Sequence, residues 1–224
     1  MAEVNNIHNE LIKIAVEGLP GTGKTTLYNS LIKRYASIIS SKSPDFVKSR
    51  ERQNSIVSKI EKILKSRDPK FLTLRSPIGE TLLLLTRIAF KQNKKQKKFS
   101  MGIQISDKSI DTLISHAIPR LLETGYFKNE EESFKWIINI LDPFYKYPDL
   151  VIFLKPRNLE EFLKRTRGDK NERAFLEQIS RTYDFLYTST KFNNRTKIIY
   201  IDKDTTPKKV LDNSVKIIDK YLKR

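Results

Sequence analysis

The segment Gly18-Leu-Pro-Gly-Thr-Gly-Lys-Thr25 holds the residue types and spacing best suited to chemistry. It fits G-x-x-x-x-G-K-[ST] at every fixed position, a pattern that chance places in about one chain in a hundred of this length. Gly18, Gly21 and Gly23 let the backbone turn so that successive N–H groups face inward, and such a ring of donors takes a phosphate. Lys24 can reach the β- and γ-phosphates of a nucleoside triphosphate, and the Thr25 hydroxyl can ligate Mg²⁺. Thr22 and Thr26 complete the expected ATP contacts. A plain glycine-rich turn ahead of a helix is the alternative.

The loop needs a strand before it and a helix after it. Leu11–Val16 is short, apolar and β-branched, as in a buried strand. Lys24–Tyr35 carries apolar residues at 27, 31, 32 and 35, the spacing of an amphipathic helix. Further along, 36–40, 102–106, 150–154 and 197–201 read as strands. Segments 55–64, 80–90, 110–123 (bent near Pro119), 133–141, 159–167, 172–187 and 210–222 read as helices, with a polar break at 168–171. Alternation of this kind calls for a parallel sheet with helices on both faces, an α/β fold of three layers. No repeat or linker interrupts it, so residues 1–224 are expected to form one domain.

Composition narrows the setting. The chain has no cysteine, which excludes disulfides and thiolate chemistry, and two histidines, too few for a histidine metal centre. The polar N-terminal ten residues lack the apolar core of a secretory signal. No apolar run approaches the roughly 20 residues that span a bilayer, so a soluble, cytoplasmic protein without a membrane partner is expected. Lys and Arg number 43 against 26 Asp and Glu, a formal charge of +17 that attracts polyanions. The densest run, five lysines within 91–98, has no interleaved aromatic and fits a solvated helix end as well as a polyanion contact.

The order of elements after the loop resembles the thymidylate kinase family of P-loop nucleoside monophosphate kinases. Ile14-Ala-Val-Glu-Gly-Leu-Pro-Gly-Thr-Gly-Lys-Thr-Thr26 is similar to that family's F-x-x-x-E-G-x-D-G-x-G-K-T-T. Ile39–Pro44 stands where the family writes a strand ending in R-E-P, and Glu80–Arg87 where it writes L-L-F-x-A-x-R. Ile105–Thr112 takes the place of D-R-Y-x-x-S, and Pro148–Leu154 matches P-D-L-x-I-x-L. Leu163–Arg173 looks like its arginine-bearing lid, here about 165–174, and Ile201-Asp202 like its terminal strand. The resemblance implies the P-loop NTPase fold and transfer of the ATP γ-phosphoryl group, with Mg²⁺, to dTMP or a related pyrimidine monophosphate. It implies that Lys42, Arg87, Asp107, Lys108 and Thr112 meet the acceptor and that Asp107 joins Thr25 at the metal. Lys24 and the lid's Arg165, Arg167 and Arg173 would stabilise the charge on the transferring group. A homodimer through its helices is also implied.

Some positions depart from the family. Pro20 replaces an aspartate at the acceptor sugar, Leu83 a stacking phenylalanine, and His116-Ala117 a Tyr-Gln pair. Lys108 replaces an arginine and loses its bidentate fork. Lys155 follows the P-D-L strand where an aspartate is usual. Other readings share the loop. A deoxynucleoside kinase needs a carboxylate base where this chain has Ser43, whereas a monophosphate is already mostly ionised at neutral pH. A nucleic-acid-binding ATPase fits the charge, but Asp107-Lys108 is not the acidic pair it needs. A third reading is a relative that binds nucleotide without catalysis.

Overall fold

Leu11–Gly18 (β1) carries the continuous apolar stretch Ile14-Ala-Val16, which must be covered on both sides, and it lies in the middle of a five-stranded sheet. The computed structural model describes residues 11–42, 77–95, 102–143, 145–166 and 170–223, the side chains of 40–42 and 87–95 excepted. The strands are β1, Ile39–Lys42 (β2), Gly102–Asp107 (β3), Leu150–Pro156 (β4) and Thr196–Ile201 (β5), in the spatial order β2-β3-β1-β4-β5. Every pairing is parallel. The helices are Lys24–Arg34 (α1), Pro77–Lys95 (α2), Ile110–Glu123 (α3), Glu130–Leu141 (α4), Leu159–Arg165 (α5), Lys170–Thr188 (α6), Thr190–Asn193 (α7) and Pro207–Leu222 (α8). The expected α/β architecture is the observed one.

Several boundaries differ from the sequence expectation for local reasons. The second strand starts at Ile39, not Ala36, because the backbone N–H groups of Ile38 and Ile39 both donate to the Tyr35 carbonyl and spend 36–38 on a turn. α5 stops at Arg165, with Thr166 extended, so the expected run to Arg167 is too long. α6 begins at Lys170, which puts Asn171 in a helix and not in the polar break. Pro119 lies within α3, where it cannot donate to the Ser115 carbonyl. The helix expected over 55–64 lies outside the described residues.

The described residues fall into two compact units. Those within Met1–Ser43, Phe99–Thr112 and Tyr147–Arg224 form the first, and those within Pro44–Lys98 and Leu113–Lys146 the second. In the first unit, one face of the sheet (Ile14, Val16, Ile103, Ile105, Leu150, Ile152 and Leu154) packs under Leu27 and Leu31 of α1 and Ile218 of α8. On the opposite face Phe153 packs against Tyr183 and Tyr187 of α6, at ring-centroid distances of 4.8 Å each. Asp149 locks the two central strands at their start. Its carboxylate accepts the Lys13 N–H at 2.7 Å, and its own N–H donates to the Lys13 carbonyl at 2.8 Å. In the second unit, Arg120 of α3 pairs with Glu80 of α2 at 2.9 Å, and Phe127 meets Trp136 of α4 at 5.5 Å. No helix among the described residues is long and apolar enough to cross a membrane.

β1 ends where the chain leaves the sheet sharply. Gly18 has φ +145°, and a Cβ there would lie 2.6 Å from the Leu154 carbonyl oxygen and 2.8 Å from Thr22 Oγ1. Neither neighbour can yield, the first being ladder backbone and the second hydrogen-bonded to the Leu19 carbonyl. Gly18→Ala is therefore expected to cost about 3 kcal/mol, a fall in Tm of roughly 6–12 °C. A thermal melt within about 2 °C of the wild type would show that the turn relaxes freely.

Candidate functional site

The site begins where β1, β3 and β4 end together. β1 and β3 are neighbours in the sheet, but the chain leaves them in opposite directions, β1 toward β2 and β3 toward β4. A crevice opens at such a point, outside the carboxyl ends of the strands. The register sets Val16 beside Asp107 and Gly18 beside Leu154, so the loop after β1 and the turn after β3 face each other.

Gly21 and Gly23 take φ of +85° and +86°, the left-handed values that turn successive N–H groups toward one centre. A Cβ added at Gly23 would meet no atom within 4 Å, so the loop encloses open space on that side. Gly23 also serves as N-cap of α1, with no side chain capping the helix and no acidic residue in its first turn. The free N–H groups and positive dipole end of an eleven-residue helix are thus left for an anion. Lys24 is buried, and its Nζ donates to the Leu19 carbonyl at 2.6 Å. Burial pulls its pKa down to about 8. Lys108 pushes the same way, whereas Glu17 and Asp107 act against the fall.

Thr25 Oγ1 donates to Asp107 Oδ2 at 2.9 Å. Asp107 Oδ1 is buried and has no hydrogen-bond partner among the described residues. A hydroxyl and a carboxylate with a spare oxygen, beside a phosphate cradle, suit a hard cation that keeps most of its waters. Mg²⁺ fits this donor set, with Thr25 and Asp107 as the residues that would hold it. Lys108, the next residue, has φ +109°, a conformation that costs a non-glycine residue about 1–3 kcal/mol.

Beyond the loop, a cavity of about 520 Å³ is lined by Gly21, Gly23, Thr26, Arg165, Asp202 and Thr205, among others. Its far wall is the β5–α8 connection, which is set by side chains. The Thr205 hydroxyl donates to Asp202 Oδ1 at 2.7 Å, the Asp202 N–H donates to Thr205 Oγ1 at 2.9 Å, and the Thr206 hydroxyl caps α8. Arg165 enters this cavity and pairs with Glu161 of its own helix.

The structure brings Gly18, Gly21, Thr22, Gly23, Lys24, Thr25, Thr26, Asp107 and Lys108 together in the first unit. Arg173 is exposed on the first turn of α6 and is not part of the cavity wall. Arg167 lies outside the described residues. Lys42 ends β2, and Arg87 lies on α2 in the second unit; their side chains are not described. Thr112, expected to meet the acceptor, donates to Glu17 Oε2 at 2.5 Å. Pro20 is exposed and Ala117 buried, and His116 Nδ1 lies 3.3 Å from Ser115 Oγ. Lys155 pairs with Asp184 of α6.

Sequence reading missed Glu17. Its side chain is fully buried, and it accepts hydrogen bonds from the Ser109 N–H, the Thr112 hydroxyl and, at 3.0 Å, the Tyr183 hydroxyl. Burial raises its pKa and the nearby Asp111 adds to the rise, while its hydrogen-bond donors oppose it. Asp111, also fully buried, is held by Arg195 at 2.6 Å and Tyr187 at 3.3 Å. The signal was present: a carboxylate at the end of a strand buried on both faces must find donors.

A triphosphate brought to Lys24 would return its pKa toward the ordinary lysine value. Near pH 8.5 the free amine is partly neutral, so ATP binding is expected to take up a fraction of a proton, declining toward pH 7. Calorimetry of ATP binding in buffers of different ionisation enthalpy measures this directly. A binding heat independent of buffer at pH 8.5 would mean that Lys24 does not titrate there or does not meet the phosphates.

No family model matches the sequence, and no curated protein matches it. Solved structures do share its architecture. A thymidylate kinase from Candida albicans aligns with a TM-score of 0.64 at 20% sequence identity, over 95% of this chain and 92% of that one. A thymidylate kinase from Ehrlichia chaffeensis gives 0.58 at 15% identity, over 93% and 98%. Along nearly its whole length, the chain has the fold of the thymidylate kinases.

Proposed function

We propose that the protein is a nucleoside monophosphate kinase that transfers the γ-phosphoryl group of ATP, with Mg²⁺, to dTMP or a related pyrimidine monophosphate. The observation that carries the proposal is the continuity of the donor half. A phosphate cradle, a buried lysine, the Thr25–Asp107 pair and a nucleoside-sized cavity adjoin one another in a chain with the thymidylate kinase fold. Mg²⁺ would neutralise phosphate charge and orient the γ-phosphoryl group. Lys24 and the loop N–H groups hold the β- and γ-phosphates, and the cavity takes the rest of the donor. Arg165, already in the cavity wall, turns from Glu161 toward the transferring group; Arg167 and Arg173 belong to the same proposed lid. Lys42 and Lys108 supply charge for the acceptor phosphate, a role the resemblance also gives to Arg87. A monophosphate acceptor needs no base, which agrees with a serine, Ser43, and not a carboxylate following Lys42 in the sequence, and with a Glu17 that is wholly occupied by donors. The resemblance brings a cytoplasmic setting and a homodimer into the same proposal.

ADP release across the common nucleoside monophosphates and free nucleosides tests the acceptor. Turnover with dTMP, or with another pyrimidine monophosphate such as dUMP, is expected. Turnover with nucleosides alone would make the protein a nucleoside kinase, and ATP binding without any turnover would make it a non-catalytic relative. Omitting Mg²⁺ and the change Lys24→Ala should each remove nearly all turnover.

For the lid, Arg165→Ala should lower kcat about tenfold, some 1.4 kcal/mol of transition-state stabilisation, with a smaller rise in KM for ATP. An unchanged kcat would remove Arg165 from the chemistry.

A further inference from the structure

A strand buried on both faces would be completed most simply by an apolar residue at position 17, yet the chain places a carboxylate there. Burying an anion is costly, and a well-packed apolar side chain is often no worse for stability. What distinguishes Glu17 is where its donors come from. Oε1 takes the Ser109 N–H and Oε2 the Thr112 hydroxyl, both just after Asp107 and Lys108 and at the start of α3. The third, the Tyr183 hydroxyl, comes from α6. Glu17 itself directly precedes Gly18, where the phosphate loop begins.

Lys108 gives these bonds a purpose. A non-glycine residue at φ +109° persists only where its surroundings over-determine it. On one side the parallel ladder fixes Asp107 beside Val16; on the other, Glu17 fixes the Ser109 N–H. The strained residue is clamped between them, and the result is an Asp107 carboxylate 2.9 Å from the Thr25 hydroxyl. Released at Ser109, the turn could relax at Lys108 and rotate Asp107 away. We propose that Glu17 is a positioning residue: through Ser109 and Thr112 it sets the turn that aims Asp107 at Thr25, and through Tyr183 it fastens that turn to α6. It does not touch substrate. This role rests on the phosphotransfer reading only in its kinetic consequence.

Glu17→Gln keeps the shape and removes the charge that gathers the donors. In nucleotide-free protein, the amides of 107–112 should exchange with solvent faster while those of β4 stay as protected as in the wild type. With substrates saturating, kcat should fall about 10- to 100-fold and the Mg²⁺ concentration for half-maximal rate should rise, with KM for ATP changed far less. Unchanged exchange at 107–112 would overturn the proposal. So would faster exchange in β4 and the turn together with a rate loss that tracks the unfolded fraction, the mark of a purely structural residue. If the wild type phosphorylates no acceptor, the kinase reading fails on its own. The exchange comparison, with the ratio of affinities for ATP with and without Mg²⁺, still decides the role of Glu17.

Discussion

The backbone hydrogen bonds that seat β1 between β3 and β4 determine which atoms meet at the mouth of the sheet. Parallel register allows no sliding by one residue, because each slip would turn the strand's two faces over. Val16 must therefore end beside Asp107 and Gly18 beside Leu154. From that alignment follow the tight exit at Gly18, the loop that opens toward β3, and the reach from Thr25 to Asp107. The Asp149–Lys13 bonds at the other end of the same strands hold the register where the chain enters the sheet. A site made of three strand ends needs its alignment fixed along their whole length.

Around this frame, the first unit buries more charge than a core of its kind needs for folding. Glu17 and Asp111 are fully enclosed, and burial raises the pKa of each, a destabilising sign for a carboxylate that must ionise. Each is answered by donors drawn from separate elements: Glu17 by α3 and α6, Asp111 by α6 and by Arg195 just before β5. Such bonds are directional in a way that apolar packing is not. They set the first turn of α3 relative to the sheet, and that turn directly follows Asp107 and Lys108.

The loop, its strand and its helix were legible in the sequence because their physics is local: glycines where φ must be positive, then a lysine and a threonine at fixed offsets. Asp107 was legible for a similar reason, standing last on a short strand whose Ile103 and Ile105 alternate with polar residues. The strand order was not, since alternating elements are compatible with several arrangements of the same parallel sheet. Nor was the bond of Thr112 to Glu17, since the resemblance assigned Thr112 to the acceptor and gave Glu17 no role. The bonds of Glu17 join residues 92 to 166 positions apart, and no periodicity carries that information. The cavity's far wall was equally hidden. Asp202 and Thr205 look like ordinary turn residues, and they meet the loop only because β5 lies beyond β4.

The charges at the loop are arranged for a ligand rather than for the loop alone. Burial and the nearby charge of Lys108 both disfavour the proton on Lys24. Glu17 and Asp107 relieve this only in part, because the loss of water on burial is the larger effect. A polyphosphate entering the cradle would supply the missing negative charge next to both amines. It would also take up the free N–H groups at the start of α1, which no side chain caps. The charge on buried Lys24, the uncapped helix and the strained Lys108 backbone are each unfavourable to the fold. The first two lie at the start of α1, and a bound phosphate chain would satisfy both at once. The third is what holds Asp107 in place to serve it.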